Sequence, residues 1–221
     1  MPRDEIHIWY ASLDQGPQAF RHLEGTLSED ERRRAQGFRS GRPRSRCITS
    51  RGLLRTLLAS YLGCEPREIR FSYGTNGKPY LEESVDTMDL SFNVSHSSDA
   101  VMYAFARGDE IGVDLERVQP FVGMEHVVRR FFCPQEQKVF RRTAPGKRVR
   151  AFYDCWTRKE ALLKASGDGL ARSLASFDVS RTGGAEWAIH DLETFEGYSA
   201  ALAIRAREKK FTMICRPAGG F

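Results

Sequence analysis

The chain contains no run of about 18 apolar residues, so no membrane-spanning helix is expected. Its first ten residues, MPRDEIHIWY, lack the apolar stretch of a secretory leader, and a soluble cytoplasmic protein is expected. Cysteine is scarce: Cys47, Cys64, Cys133, Cys155 and Cys215 make an odd number, with no C-x-x-C pair. That argues against a disulfide framework and against a thiolate zinc site, and leaves small buried hydrophobes. Low-complexity tracts are missing too. So is lysine where basic charge is densest: from Arg32 to Arg55 there are nine arginines and no lysine.

What is present bounds the size and charge. The 221 residues are 41% hydrophobic and 29% charged, enough for one sizeable core or two small ones. Formal net charge is +5. A second basic cluster comprises Arg129, Arg130, Arg141, Arg142, Lys147, Arg148 and Arg150. Fields of this kind attract phosphates, nucleic acid or acidic proteins, unless they are merely solvated helix faces.

Periodicity places the elements. IHIWYASL (6–13), IRFSY, LSFNVS, AVMYAFA and IGVDLERV alternate as strands, as do SFDVS, EWAIHDL, YSAALAIR and FTMICR. SEDERRRAQGF has Ser28 and Glu31 at capping-box spacing, and RGLLRTLLASYLG (51–63) is an amphipathic helix stopped by Gly63. GMEHVVRRFF, PQEQKVFRR and residues 148–166 read as helices, and TNGKPY as a turn on Asn76-Gly77. Each half carries helices and several strands at hairpin spacing, which favours α+β over a doubly wound parallel sheet. The charged turn near 107–110 divides the chain into lobes 1–108 and 109–221, closely packed.

Two segments carry unexpected charge. FYDCWTRKEALLKASGDGL (152–170) sets Lys159, Glu160 and Lys164 among aromatic and aliphatic residues. Glu160 and Lys164 form an i,i+4 pair at the edge of the apolar face, which taken alone is a surface salt bridge worth a few tenths of a kcal/mol, roughly. Lys159 projects within that face, and its ammonium must find water or an anion. In IGVDLERV, Asp114 and Glu116 project to one side, ~7 Å apart along the strand, with Gly112 on the same face leaving room beside them. Together Asp114, Glu116 and Glu160 offer three oxygen ligands of the kind a hard octahedral ion such as Mg2+ takes while it binds substrate phosphates, with Lys159 and Lys164 as phosphate partners.

IGVDLE followed by WTRKEALLK resembles the paired motifs of the Sfp-type 4'-phosphopantetheinyl transferases, (I/V)-G-(V/I)-D-x-E and W-x-x-K-E-x-x-x-K, in order and at suitable separation. NGKPYL, LSFNVSHS and the basic helix before them are similar as well, so the likeness spans roughly residues 28 to 180. It implies two similar α/β lobes packed as a pseudo-dimer. It also implies transfer of the phosphopantetheine arm of coenzyme A to a serine of an acyl or peptidyl carrier protein. By this resemblance Asp114, Glu116 and Glu160 hold Mg2+, Lys164 contacts the pyrophosphate, and Glu160 or a metal-bound water takes the hydroxyl proton. Lys159, Lys78, Ser95 and His96 lie by the nucleotide phosphates, and Arg46, with Arg34, by the 3'-phosphate. The N-terminal lobe is expected to hold the nucleotide, the C-terminal lobe the metal.

Three departures bear on the nucleotide. Asp168 stands between glycines where lysine is common, Glu31 replaces a basic residue for which Arg32 is the nearest substitute, and Pro43 alters the loop before a helix at 45–62. Two rivals remain. A Mg2+-dependent nuclease or phosphohydrolase uses similar residues, but its E-x-K element usually lies on a strand. A non-enzymatic nucleic-acid binder leaves the acids unexplained. Carrier proteins are generally acidic, so Arg129, Arg130, Arg141 and Arg142 are expected to steer docking. A monomer is expected, with neither membrane nor nucleic acid as partner.

Overall fold

A computed structural model describes residues 1–39, 41–74, 77–82, 89–167, 169, 173–180, 186–205 and 211–218 of the chain. Asp168 and Asn76 lie outside the described residues.

The first half supplies β1 (Glu5–Ser12), α1 (Pro17–Thr26), α2 (Glu29–Gln36), α3 (Gly41–Leu62), β2 (Phe71–Tyr73), β3 (Pro79–Leu81), β4 (Leu90–Ser97) and β5 (Ala100–Arg107). The second supplies β6 (Ile111–Arg117), α4 (Met124–Phe131), α5 (Pro134–Arg142), α6 (Arg148–Ser166), β7 (Trp187–Asp191), β8 (Tyr198–Arg205) and β9 (Thr212–Pro217). One sheet has the order β4-β5-β1-β9 and a second β6-β8-β7, while β2 and β3 form a short hairpin. The architecture is α+β in two lobes.

Strand alternation sorts the side chains into layers. Ile6, Ile8, Met102 and Ala104 on one sheet meet Val113, Leu115, Leu202 and Ile204 on the other, all at most 1% exposed. This shared core holds the lobes together, and each fully buried aliphatic residue there contributes roughly 1.5–3 kcal/mol. The opposite face of the first sheet, with Val101, Tyr103 and Phe105, packs on Leu53, Leu54, Leu57 and Leu58 of α3. The opposite face of the second, with Ala201 and Ala203, packs on Ala161, Leu162 and Ala165 of α6. Helices therefore cover both outer faces.

Several elements differ from the pattern reading. The helix before Gly63 begins at Gly41, not near residue 45 or 51, because Pro43 sits in its first turn, where no intrahelical N–H is needed. Helix α1 was not anticipated; only Leu23 and Thr26 of it are buried. SFDVS is not a strand: a 3-10 turn, Leu174–Ser176, leads into irregular chain. Helix α6 buries two sides rather than one, with Phe152 and Tyr153 packed on α4 and α5 while Ala161 and Ala165 pack on the sheet. Finally, β9 pairs in parallel with β1, from Glu5↔Thr212 to Tyr10↔Pro217, so the last strand of the second half completes the sheet of the first.

Gly112 controls how closely α6 approaches β6. A Cβ there would lie 2.2 Å from the Ala161 carbonyl oxygen and 2.3 Å from the Ala165 amide nitrogen. The room expected beside the acids is thus filled by helix backbone. Gly112→Ala must push α6 off the strand and is expected to cost about 1–3 kcal/mol or more. The denaturation midpoint reads this directly, and a variant as stable as the parent would show that the contact is not tight.

Candidate functional site

Asp114 and Glu116 share the face of β6 that carries Gly112, so the close approach of α6 sets Glu160 and Lys164 over them. The Lys164 Nζ lies 2.6 Å from Asp114 Oδ1 and donates to Ser95 Oγ at 2.9 Å. The other oxygen, Asp114 Oδ2, is buried with no hydrogen-bond partner. Burial and the Asp114 charge push Glu116 above the ordinary glutamate range, partly offset by a hydrogen bond from Ser97. Glu160 is pushed up in the same way, by burial first and then by the charges of Asp114 and Glu116. Three carboxylates on two elements thus feel one another with a single lysine among them.

These acids reach their positions through the first lobe. β4 and β6 are edge strands of different sheets, and they face each other. The amides of Val113, Leu115 and Arg117 donate to Asn93 Oδ1, Ser95 Oγ and Ser97 Oγ at 3.0, 3.2 and 3.1 Å. The same hydroxyls donate onward, Ser95 to Asp114 Oδ1 at 2.9 Å and Ser97 to Glu116 Oε2 at 2.7 Å. Two of the three alternating residues of β4, Ser95 and Ser97, therefore serve the acids directly. The intervening residues, Val94 and His96, together with Ser98 beyond the strand, line a cavity of about 710 Å3 on the other side. Arg34, Arg42, Arg46 and Arg51 line it too, as do Phe38 and Tyr73. The Arg46 Nε is buried without an acceptor among the described residues. His96 is exposed and lines the cavity from the strand that carries Ser95 and Ser97.

Two family descriptions cover nearly the whole chain: the 4'-phosphopantetheinyl transferase superfamily over residues 110–211, and 4'-phosphopantetheinyl transferase, N-terminal, over 9–107. The 4'-phosphopantetheinyl transferase HetI of Nostoc sp. is 38% identical over 179 residues, 81% of this chain and 75% of its own. The chain belongs to the 4'-phosphopantetheinyl transferase superfamily. A putative 4'-phosphopantetheinyl transferase of Synechocystis sp. is 38% identical over 76% of this chain and 67% of its own. The transferase Sfp of Bacillus subtilis is 29% identical over 72% and 73%. Among the described residues no helix is long and apolar enough to cross a membrane.

The expected site residues of this transferase separate into two groups. Asp114, Glu116, Glu160, Lys164, Ser95, His96 and Arg46 lie around the acids or the adjoining cavity. Lys159 does not. Fully buried, its ammonium meets Glu136 at 2.8 Å, donates to the carbonyls of Leu174 and Phe177 at 2.7 and 2.8 Å, and lies over the Phe177 ring. It does find an anion, but an internal one. Lys78 is also engaged: its Nζ donates to the Lys164 carbonyl at 2.6 Å and to the Ile111 carbonyl at 3.3 Å, clamping the β2–β3 hairpin onto the second lobe. Burial pushes the Lys78 ammonium down. Ser95 uses its one proton on Asp114 and both lone pairs on Leu115 and Lys164.

Glu31 is buried and paired with Arg55 at 2.5 Å and Arg51 at 2.9 Å. Arg32 lines a second cavity of about 410 Å3, with Arg21, Arg44 and Arg67. Pattern reading missed Ser97, Phe38 and Tyr73. The N-x-S-x-S alternation in an otherwise apolar strand was the available signal for Ser97; nothing local marks the two aromatics.

The donor set fits a hard divalent cation: three carboxylates, an orphaned buried oxygen, and two glutamates whose charged forms are disfavoured without a counter-charge. As placed, the ligand atoms of Asp114, Glu116 and Glu160 do not all lie within 4.8 Å of one another. Among the described residues, Cys133, Glu136 and Asp178 form the only such group with ligand atoms within 4.8 Å of one another. That group is already satisfied, because Glu136 pairs with Lys159 and accepts from the amides of Cys133 and Val179.

Two tests follow from the geometry. Lys159→Ala strands a buried Glu136 and is expected to cost about 3–5 kcal/mol in chemical denaturation, whereas Lys164→Ala, at the half-open site, costs far less. Raised carboxyl pKa values favour the folded state at low pH, and that contribution is lost as pH rises through them. A cation that takes the deprotonated acids must therefore stabilise more at pH 8 than at pH 5. Melting curves with and without Mg2+ at both values check this, and an equal gain at both would contradict the ligand set.

Proposed function

We propose that this chain transfers the 4'-phosphopantetheine arm of coenzyme A to a serine hydroxyl of an acyl or peptidyl carrier protein, releasing adenosine 3',5'-bisphosphate. The observation that carries this reading is the joining, across β4, of an arginine-lined cavity to a site of three acids and a lysine. A nucleotide ending in a diphosphate needs both halves.

The cavity has the volume and charge for the nucleotide. Arg34, Arg42 and Arg46 provide cationic donors for the 3'-phosphate, and Phe38 and Tyr73, 42% and 51% exposed, offer ring faces to adenine. His96, on the cavity wall beside Ser95 and Ser97, would donate to the diphosphate. Mg2+ held by Asp114, Glu116 and Glu160 would neutralise charge that builds on the leaving group. Lys164 is positioned to do the same from the protein side, where a fixed charge in a partly desolvated site acts most strongly on the transition state. Glu160 would accept the proton of the attacking serine as general base.

Basic residues at the ends of α4 and α5 suit an acidic partner. Arg129 and Arg130 end α4, Arg141 and Arg142 end α5, and all four are exposed. Val139 on α5 and Val122 before α4 are exposed beside them, 49% and 103%. This face is the proposed carrier-docking surface, with charges to steer and apolar residues to hold.

Mass spectrometry of apo carrier proteins incubated with the protein, Mg2+ and coenzyme A tests the reaction. The expected result is a gain of one phosphopantetheine arm. No gain on fatty-acid, polyketide or peptide carriers would refute the reading. Alanine at Asp114, Glu116 or Glu160 is expected to abolish transfer with the fold retained, and Lys164→Ala to lower kcat by orders of magnitude. Arg141→Glu with Arg142→Glu is expected to raise the carrier KM and leave coenzyme A affinity unchanged.

A further inference from the structure

We propose that Ser97 is a positioning residue that sets the metal affinity of the site by orienting Glu116. The inference rests on the Mg2+ assignment above and extends it to a residue that the motif comparison does not single out.

Three side chains of β4 make the same bond to β6, each accepting one backbone amide, but they differ in what else they hold. Asn93 accepts from Val113 through Oδ1, and among the described residues no bond to a carboxylate accompanies it. Ser95 is saturated, with its proton on Asp114 and both lone pairs engaged by Leu115 and Lys164. Ser97 accepts from Arg117 at 3.1 Å and donates to Glu116 Oε2 at 2.7 Å. Glu116 has a longer side chain than Asp114 and is half-buried on a strand that ends one residue later. Lys164 makes its ion pair with Asp114 rather than Glu116. The hydroxyl of Ser97 is thus the group that fixes which way Glu116 points.

The physical consequence is specific. A hydroxyl that donates to one carboxylate oxygen leaves the other oxygen free to ligate and holds the group in a single rotamer. Loss of such an outer partner typically weakens metal binding by about 10–100-fold. Transition-state contacts made by Lys164 are untouched, so the defect belongs in metal affinity rather than in turnover at saturating metal. Asn93 supplies the internal control, because its removal breaks the same kind of interstrand bond without touching a carboxylate.

The experiment measures Mg2+ binding by calorimetric titration, Mn2+ binding by electron paramagnetic resonance, and the Mg2+ dependence of carrier modification. The proteins are the parent, Ser97→Ala, Ser97→Thr and Asn93→Ala. Ser97→Ala is expected to bind both ions about 10-fold more weakly or worse and to recover most of its kcat at high Mg2+. Ser97→Thr, which keeps the hydroxyl, is expected to restore affinity. Asn93→Ala is expected to lower the melting temperature and leave ion affinity near that of the parent. Equal ion affinity in Ser97→Ala and the parent overturns the inference, as does an equal loss in Asn93→Ala, which would make the effect one of lobe docking alone. The binding arms stand apart from turnover: a parent that binds the ions but modifies no carrier sinks the transferase reading and leaves the role of Ser97 decided by its own affinities. A parent that binds neither ion sinks both.

Discussion

The arrangement depends on two edge strands that meet through side chains instead of backbone. β4 and β6 each end a sheet, and a bare edge leaves a row of amides and carbonyls unpaired. Backbone pairing would fuse the two sheets into one. Here Asn93, Ser95 and Ser97 take the amides of Val113, Leu115 and Arg117. A hydroxyl has one proton and two lone pairs, so a serine that accepts an amide still has a proton to give. Those protons go to Asp114 and Glu116. The seam between the lobes and the orientation of the acids are one hydrogen-bond network, and neither can shift without the other.

Charge balance around that network explains the two lysines of α6. Lys159 and Lys164 are five residues apart, about 140° around the helix. One side of the helix faces the acids, and Lys164 answers Asp114 there at a partly open surface. The other side faces α5 and the irregular chain after α6, where Lys159 answers Glu136 out of reach of water. A buried pair of this kind seldom adds net stability, but breaking it is costly, so it locks α5 against α6. The motif's two lysines therefore do different work: one builds the helix packing, the other serves the site.

Much of this was legible in residue order. Alternation in IGVDLERV put Asp114 and Glu116 on one face, and the i,i+4 spacing of Glu160 and Lys164 put that pair on one stripe. Most strands followed from the same rule. What periodicity does not carry is the identity of the neighbour. Lys159 falls on an apolar face in either account; only the fold shows that Glu136, over twenty residues away in sequence, lies opposite. Lys78 in a turn likewise gives no hint that it will cap the carbonyl end of α6. Gly112 was read as space and is a point of contact, because a missing side chain looks the same in a sequence whether a ligand or a helix fills the gap. The return of β9 to β1 is a long-range pairing with no local signature, since a parallel neighbour is fixed by packing rather than by a turn.

The acid in the basic helix region resolves by the same logic. Glu31 was unexpected beside an arginine-lined cavity, where a carboxylate would repel any bound anion. Its side chain is taken up by Arg55, which is 2% exposed and also donates to the carbonyls of Pro66 and Ile69, and by Arg51 at the cavity wall. Glu31 also caps the first turn of α2 by accepting from the Ser28 amide. One carboxylate thus fixes the start of α2 to the middle of α3, and two guanidinium groups cancel its charge. Arg34, Arg42 and Arg46 remain to give the cavity its positive character, while Arg32, one residue after Glu31 and about 100° round the helix, lines the second cavity. The position that departs from the family's basic pattern is a packing element, and the arginines that line the cavity lie on the neighbouring turns.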